Sequence, residues 1–482
     1  MSETGSLYQK RIPIYTRSVK GKFRNFKTAV LVLAYTVFFA LPWLPWQRSS
    51  AASQAVMFDL ESRRFFIFDL VVYPQDIFWL ALLLFIAAVL LFFVTGLIGR
   101  AWCGYFCFQT LWMDCYMFIE HMIQGERPAR MRLAKQPWNP EKILKIGGSH
   151  AAMILVGLWT GFTFVAYFTF APQFFADFFS GQAHPTGYFA VVVLGLCTYV
   201  AGGLAREQIC IYVCPYARFQ SVMYEQDTLA PSYDTRRGEG SAGRAIPIEG
   251  LRTQEERQAK GHGDCIDCGF CVQVCPTGVD IRKGLQYQCI SCGLCIDACN
   301  TIMDSRGWKR GLIRYDSERN LRSETPAKPH LKWKNLKVIG YALALLVMTS
   351  ALVFSIGTRS DVEVRIQQVR QPLYVHLSDE KIRNRYEVHI VNKTEREETY
   401  ELKVRGIPES ALAIGAGANP AIIRAGKDVK LAVKVDLDEH LAEKTREFEF
   451  VIHARATPDQ AVVRKVNFYA EHQEHHDETG HQ

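Results

Sequence analysis

Cys265-Ile266-Asp267-Cys268-Gly269-Phe270-Cys271-Val272-Gln273-Val274-Cys275-Pro276 is followed, after a 13-residue gap from Cys275, by Cys289-Ile290-Ser291-Cys292-Gly293-Leu294-Cys295-Ile296-Asp297-Ala298-Cys299-Asn300. Both runs read C-x2-C-x2-C-x3-C. A cubane iron–sulfur core offers four iron corners, and each takes one soft thiolate. In tandem runs of this spacing three thiolates wrap one [4Fe–4S] cluster, and the fourth ligates its neighbour. Cys265, Cys268, Cys271 and Cys299 are therefore expected to hold one cluster. Cys289, Cys292, Cys295 and Cys275 are expected to hold the other.

The intervening residues suit that task. Gly269 and Gly293 allow tight turns, and such turns aim backbone N–H groups at the sulfides. Pro276 leads the chain away from the first wrap. Asn300 replaces proline in the second run, a departure that touches no ligand. Structural zinc or disulfides are the competing readings, but the spacing is poor for a zinc knuckle. A bacterial-ferredoxin-like lobe at about residues 255–310 is the expectation.

The remaining sequence places this lobe in a membrane protein. The chain has 482 residues, 14 cysteines and 49% hydrophobic residues. A bilayer-spanning helix needs about 20 apolar residues. Runs of that kind occur at Thr28–Trp46, Ile77–Ile98, Ala151–Ala171, Gly187–Ala205 and Val338–Ile356. Buried core helices are the alternative, and five separate runs argue against it.

Basic residues in short flanks orient such proteins. Lys10, Arg11, Arg17, Lys20, Lys22, Arg24 and Lys27 precede the first run, and residues 99–149 are also rich in Lys and Arg. Residues 47–76 carry only Arg48, Arg63 and Arg64, and 172–186 carry none. The expectation is a multi-pass protein of a bacterial inner membrane. Residues 1–27 form a cytoplasmic segment, 28–205 four spans with loops, and 206–336 a cytoplasmic region with the iron–sulfur lobe. Residues 337–357 form the fifth span and 358–482 a periplasmic domain. The first run is read as an uncleaved anchor, although Ser53-Gln54-Ala55 resembles a cleavage site. No cysteine follows Cys299, so the outer domain has none to oxidise. The net charge of +8 is accounted for by the inner flanks, and no nucleic-acid partner is expected.

After Ser360 the apolar pattern changes to alternation of period two. It recurs at Val362–Ile366, Tyr386–Val391, Tyr400–Val404, Val429–Val435, Phe448–Ile452 and Val462–Phe468. Turn residues separate these segments, which predicts an antiparallel immunoglobulin-like β-sandwich. The sequon at Asn392 is read as having no role. His472, His475, His476 and His481 make a His-rich tail, read as a solvated end with metal binding as the alternative.

Two further pairs follow the second and fourth spans: Cys103-Gly104-Tyr105-Phe106-Cys107 and Cys210-Ile211-Tyr212-Val213-Cys214-Pro215. Arg100 or Arg206 precedes each, and Gln109 or Gln220 follows. This is a weak internal repeat. If each segment is helical, residues four apart share one face, and the four thiols emerge at one membrane depth. Convergent thiolates suit Cu(I), zinc or another cluster, or redox-active disulfides. Ordinary buried cysteines are the bland alternative. Cys115, with Met113 and Met117, is read as packing, with an extension of a copper path as the alternative, and Cys197 as a small core residue. His150 and His184 fall on opposite membrane faces, so they do not share a haem.

Taken in order, the two C-x3-C pairs, the tandem cluster motif, the fifth span and the outer β domain resemble the CcoG/FixG/RdxA family, iron–sulfur accessory proteins of cytochrome c oxidase assembly. The resemblance covers nearly the whole chain. Its specific residues are Trp102-Cys103-Gly104-Tyr105-Phe106-Cys107 and Cys210–Pro215. Membrane ferredoxins of nitrate and nitrous oxide systems share the pairs without the outer domain. The resemblance implies a cupric reductase that turns Cu(II) into Cu(I) for a cbb-type haem–copper oxidase. Cys103, Cys107, Cys210 and Cys214 would bind or relay copper, with the clusters delivering single electrons. The implied partners are the lipid bilayer, copper ions, a copper chaperone or transporter, the oxidase assembly machinery and an unidentified electron donor. Two other roles compete: an electron relay from a cytoplasmic donor or quinol to a membrane oxidoreductase, and a purely structural assembly factor. No G-x-G-x-x-G follows a strand and no P-loop is present, so no nucleotide or flavin site identifies the donor.

Overall fold

The computed structural model describes residues 13–48, 52–323, 329, 331, 333–394, 396–415 and 418–470. Lys10 and Arg11 of the basic leader, and His472, His475, His476 and His481 of the tail, lie outside the described residues. The chain forms two compact units. One comprises the N-terminal segment through Leu44 with Ala55–Val353, and the other Phe354 onward with Pro45–Gln54.

Among the described residues five helices are long and apolar enough to cross a bilayer: Lys22–Trp43, Ile77–Ile98, Pro140–Ala166, Pro185–Ala205 and Leu336–Gly357. The second has the expected ends. The third starts at Pro140 instead of Ala151, because local chemistry starts a helix there. The Asn139 side chain accepts a hydrogen bond from the Lys142 N–H at 2.8 Å, and Pro140 occupies the first helical position. Glu141, Lys142 and Lys145 make those first turns polar, so an apolar window misses them.

The third and fourth spans pack backbone to backbone. A Cβ on Gly161 would stand 2.4 Å from the Val191 carbonyl oxygen, and one on Gly157 2.7 Å from that of Gly195. Small residues permit such closeness where lipid offers no hydrophobic drive. Val191 and Gly195 define the buried face of the fourth span. Cys197 lies two residues past Gly195, away from that face, and is exposed. The expected core role for Cys197 is thereby corrected. A three-stranded antiparallel meander, Val56–Asp59, Arg64–Ile67 and Leu70–Val72, joins the first two spans. Strands this short leave no readable alternation.

The iron–sulfur lobe belongs to the same unit. Its two cysteine wraps repeat one backbone path. Asp267 and Ser291 both have φ 51°, and Gly269 and Gly293 have φ 65° and 72° before short helices begin at Phe270 and Leu294. The wraps differ at their ends. Phe270–Gln273 stops before Cys275, so Pro276 is free to redirect the chain. Leu294–Ser305 runs through Cys299, where a following proline would break the helix. Asn300 instead accepts the Gly311 N–H at 3.1 Å. Antiparallel strands Ala230–Tyr233 and Ile313–Asp316 close the lobe, over a core of Tyr233, Ile281, Ile296, Met303 and Leu312.

The second unit is an antiparallel sandwich. One sheet orders Leu412–Ile414, Asp428–Asp438, Lys381–Asn392 and Val362–Gln368, with Val375–His376 also paired to Lys381–Asn392. The other orders Ala421–Ile423, Glu398–Arg405, Glu447–Ala454 and Thr457–Asn467. Alternate residues, among them Tyr386, Val388, Ile390, Phe448, Phe450 and Ile452, form the core. Asn392 is fully buried. Its amide donates to the Arg396 and Ile423 carbonyls at 2.8 and 2.9 Å and accepts from the Thr394 N–H at 2.9 Å. The sequon asparagine is a structural clamp whose nitrogen is already engaged.

Candidate functional site

The lobe contains two cavities, each lined by four cysteines. Cys265, Cys268, Cys271 and Cys299 line one. Cys275, Cys289, Cys292 and Cys295 line the other. The last cysteine of each run thus crosses to the other run's cavity. Apolar side chains complete the walls, including Ile266, Phe270 and Leu312 in the first and Val279, Ile290 and Leu294 in the second. All cysteines are free thiols.

This environment fits a cationic iron core. Burial pushes the thiols of Cys271, Cys289 and Cys299 up to about 12, and raises Cys292 and Cys295 as well. Bare thiolates are therefore unfavourable here, and a bound cation is what would let them ionise. Backbone donors also face the sulfurs. The Val279 N–H donates to Cys275 Sγ at 3.3 Å, and main-chain bonds at Ser291, Leu294 and Ile313 serve Cys289, Cys292 and Cys299. Among the described residues no three His, Cys, Asp or Glu side chains close on a single metal ion. Four thiols around each of two cavities are the donor set that a pair of multi-iron cores needs.

The C-x3-C pairs do not lie on continuous helices, which corrects the shared-face expectation. After the second span, Gly99 takes φ 55° and a short helix, Ala101–Tyr105, carries Cys103. Cys107 is extended and caps the next helix, Phe108–Gln124. After the fourth span, Arg206 takes φ 45° and a single wide turn, Ile209–Val213, carries Cys210. Cys214 is extended and caps Pro215–Val222. The two halves repeat the same break.

The four thiols nonetheless lie within electrostatic reach of one another. Burial pushes Cys210 up to about 12, and the charges of Cys107, Cys103 and Cys214 add to it. Burial pushes Cys103 up to about 11, opposed by Arg100 and helped by Cys107 and Cys214. Cys115 instead neighbours Tyr35 and Asp114. Met113 and Met117 are buried, and Met117 Sδ accepts from Thr16 Oγ1 at 3.6 Å. His150 bonds the Tyr199 hydroxyl at 2.9 Å and His184 bonds Thr186 at 2.8 Å. None of these joins the four-thiol set.

The segment that carries Cys103 sits directly against the second cavity. A Cβ on Gly104 would lie 2.6 Å from the Ile290 carbonyl oxygen and 3.0 Å from Cys292 Cα. The Tyr105 hydroxyl donates to the Cys292 carbonyl at 2.8 Å, and the Arg100 guanidinium donates to the Tyr287 carbonyl. Cys103 and Cys292 share one apolar cluster with Ile290, Leu294 and Ala298.

Residues 13–27 form a strap over the lobe that sequence reasoning took only as orienting charge. The Arg17 N–H donates to Gln273 O at 2.9 Å, and its guanidinium lies 4.5 Å from the Phe270 ring centroid. The Arg24 N–H donates to Asp297 at 2.8 Å, and its side chain forks onto Asp114 at 2.8 and 2.9 Å. Lys27, buried to 0% exposure, lies 3.5 Å from the same carboxylate. A lysine several residues into an apolar helix was the available signal, since such a charge needs a partner.

Comparison with known proteins agrees with this architecture. Residues 205–318 match a family described as a 4Fe-4S dicluster domain, and residues 352–471 match one described as the IG-like fold at the C-terminal of FixG. Protein RdxB of Cereibacter sphaeroides is 37% identical over 462 residues, covering 95% of this chain and 92% of its own. The nitrogen fixation protein FixG of Rhizobium meliloti is 36% identical over 462 residues, covering 90% and 86%. Protein RdxA of Cereibacter sphaeroides is 37% identical over 432 residues, covering 88% of each.

Proposed function

Because the chain belongs to the CcoG/FixG/RdxA family of membrane iron–sulfur redox proteins, we propose that it passes single electrons through its lobe to the four-thiol set and there reduces Cu(II) to Cu(I). The observation that carries this reading is the contact of Gly104 and Tyr105 with the Cys292 segment. It leaves little more than the wall of one cavity between Cys103 and the cysteines that line it.

Cys265, Cys268, Cys271 and Cys299 hold one [4Fe–4S] cluster, and Cys275, Cys289, Cys292 and Cys295 hold the other. Bound clusters supply one electron at a time. Cys268 is exposed, so its cavity faces the electron donor. The second cavity faces Cys103 and is the exit. Cys103, Cys107, Cys210 and Cys214 receive the copper substrate. One electron leaves the lobe for each Cu(II), and soft thiolate donors favour the Cu(I) product. Arg100 lies beside Cys103 and favours its ionised form. The lobe and the strap face the cytoplasm of a bacterial inner membrane and the sandwich faces the periplasm. There the sandwich docks the assembly machinery of a cbb-type cytochrome c oxidase, and a copper chaperone or transporter exchanges the ion.

A second reading is an electron relay to a membrane oxidoreductase without copper chemistry. It is favoured by the engagement of Cys103, whose Sγ donates to Gln220 Oε1 at 3.1 Å as a structural thiol would. A chelator assay separates the two. Chemically reduced full-length protein should convert Cu(II) to Cu(I), and the quadruple Cys103→Ser, Cys107→Ser, Cys210→Ser, Cys214→Ser variant should lose that rate with its iron intact. An unchanged rate would remove the copper site and leave the relay.

A further inference from the structure

We propose that the cavity between the third span, the fourth span and the aromatic helix that joins them binds a phospholipid with an ammonium head, one acyl chain entering the cavity and the head lying against Asp177. The site is independent of the copper chemistry.

The joining helix is Ala171–Ser180. The cavity it covers measures about 580 Å³, within the roughly 300–1,000 Å³ usual for ligand pockets. It lies at the start of the fourth span, at the opposite end of that span from the break at Arg206. The lining changes character along the span axis. Val165, Ala190 and Leu194 belong to the spans and make an apolar floor. Gln173, Asp177 and Gln182 belong to the connecting segment and make a polar mouth. An amphiphile at the boundary between headgroups and acyl chains has the same order.

Charge selects the head. Pockets for anionic lipids carry Lys and Arg. Among the described residues none of either lines this cavity, and residues 172–186 contain none. An anionic head would face the Asp177 carboxylate unopposed, whereas an ammonium would pair with it. The Phe174 ring in the same wall adds attraction for a cation. The Gln173 and Gln182 amides supply donors for the phosphate of such a head.

The walls are set before any lipid arrives. The Gln182 and Ala183 N–H groups donate to the Asp177 carbonyl at 2.8 and 3.0 Å. The Tyr188 hydroxyl donates to the Phe178 carbonyl at 2.8 Å, and the Phe174 ring stacks on Phe162 with 5.0 Å between centroids. A site held open in this way spends little on ordering itself when it binds.

The test strips full-length protein of lipid in mild detergent and offers it phosphatidylethanolamine, phosphatidylglycerol or a long-chain quinone. Native mass spectrometry counts what stays bound, with iron content measured alongside. Wild type should retain phosphatidylethanolamine over phosphatidylglycerol by about fivefold, the upper end for a half-exposed ion pair. Asp177→Asn should abolish that preference with the iron unchanged. Ala190→Phe should fill the floor and release both lipids. Equal retention of the two lipids by wild type, a preference that survives Asp177→Asn, or undiminished retention in Ala190→Phe overturns the proposal. Displacement of phosphatidylethanolamine by an equal concentration of quinone overturns it as well. If Ala190→Phe fails to fold, Asp177→Asn decides alone.

Discussion

Gln109 and Gln220 each cap the helix break of the opposite half. The Gln109 amide donates to the carbonyls of Ala201 and Arg206 at 2.8 and 3.1 Å, at the break after the fourth span. Gln220 accepts from Arg100 Nε and Cys103 Sγ, both at 3.1 Å, and donates to Thr95 Oγ1 at 3.1 Å, at the break after the second. Breaks in spanning helices expose backbone groups that need partners. The repeat supplies them by exchange, and the exchange draws the two cysteine pairs together.

Gln220→Ala should therefore destabilise the protein by about 1–3 kcal/mol, because it strands buried partners. Gln109→Ala should behave likewise. Thermal unfolding in detergent reads the loss. Equal stability in both variants would mean that the breaks are held by something else.

Gly104→Ala places a methyl against Ile290 O and Cys292. Backbone cannot yield as a flexible side chain does, so overpacking of about 1–3 kcal/mol is expected. The damage should be local: the signal of the cluster beside Cys292 broadens or is lost while its neighbour's signal stays. Electron paramagnetic resonance with iron analysis distinguishes this from general unfolding.

The crossed cavities predict pairs of equivalent variants. Cys299→Ser should deplete the same cluster as Cys268→Ser, although the two cysteines belong to different runs. Cys275→Ser should match Cys289→Ser. Each should drop iron from about eight to about four per chain, given two cubanes. Matching by run instead of by cavity would refute the crossing.

In the sandwich, Asn392→Ala removes a buried amide with at least three backbone partners. A loss of about 2–4 kcal/mol is expected, since each stranded buried group costs about 1–3 kcal/mol. Protease resistance of the Phe354–Asn467 region in the full chain should fall, with the lobe's clusters unaffected.

Glu363 gives that unit a pH dependence. Partial burial alone would raise its carboxyl, but the Lys393 ammonium at 2.8 Å and Arg365 outweigh burial and hold it low. A depressed folded value contributes stability above the unfolded value of about 4.3 and loses it as pH falls through the folded value. The melting temperature of the β-sheet transition should fall below that point, and Glu363→Gln should flatten the fall.

Much of this was legible from spacing. The cysteine runs announced two thiol-lined cavities, because a cubane's corners dictate loop lengths. Ile77–Ile98 was read to the residue, because its apolar run has abrupt ends. Long strands such as Lys381–Asn392 were visible through their period. What escaped depended on distant partners. Leu412–Ile414 and Ala421–Ile423 are too short to alternate, and they are strands only because Asp428–Asp438 and Glu398–Arg405 pair with them. The C-x3-C spacing suggested a helix, yet Gly99 and Arg206 turn the chain before it. The gathering of four thiols was anticipated from the wrong local geometry. Nothing in the spelling of Arg17 separated a strap from an orienting charge; only Lys27, set several residues into an apolar helix, carried a signal.

The strap also imposes an order in time. Arg17 lies on Phe270, and Phe23 fills the space above Gly293, where a Cβ would meet its ring at 2.7 Å. The ribosome completes this clamp long before it reaches Cys265, and the clamp runs directly into the first span, whose helix already carries Phe23. The lobe must therefore fold onto a waiting, tethered surface, and that surface covers the same wraps that receive iron. Iron bound for those wraps therefore has to enter before the clamp settles over them or by displacing it.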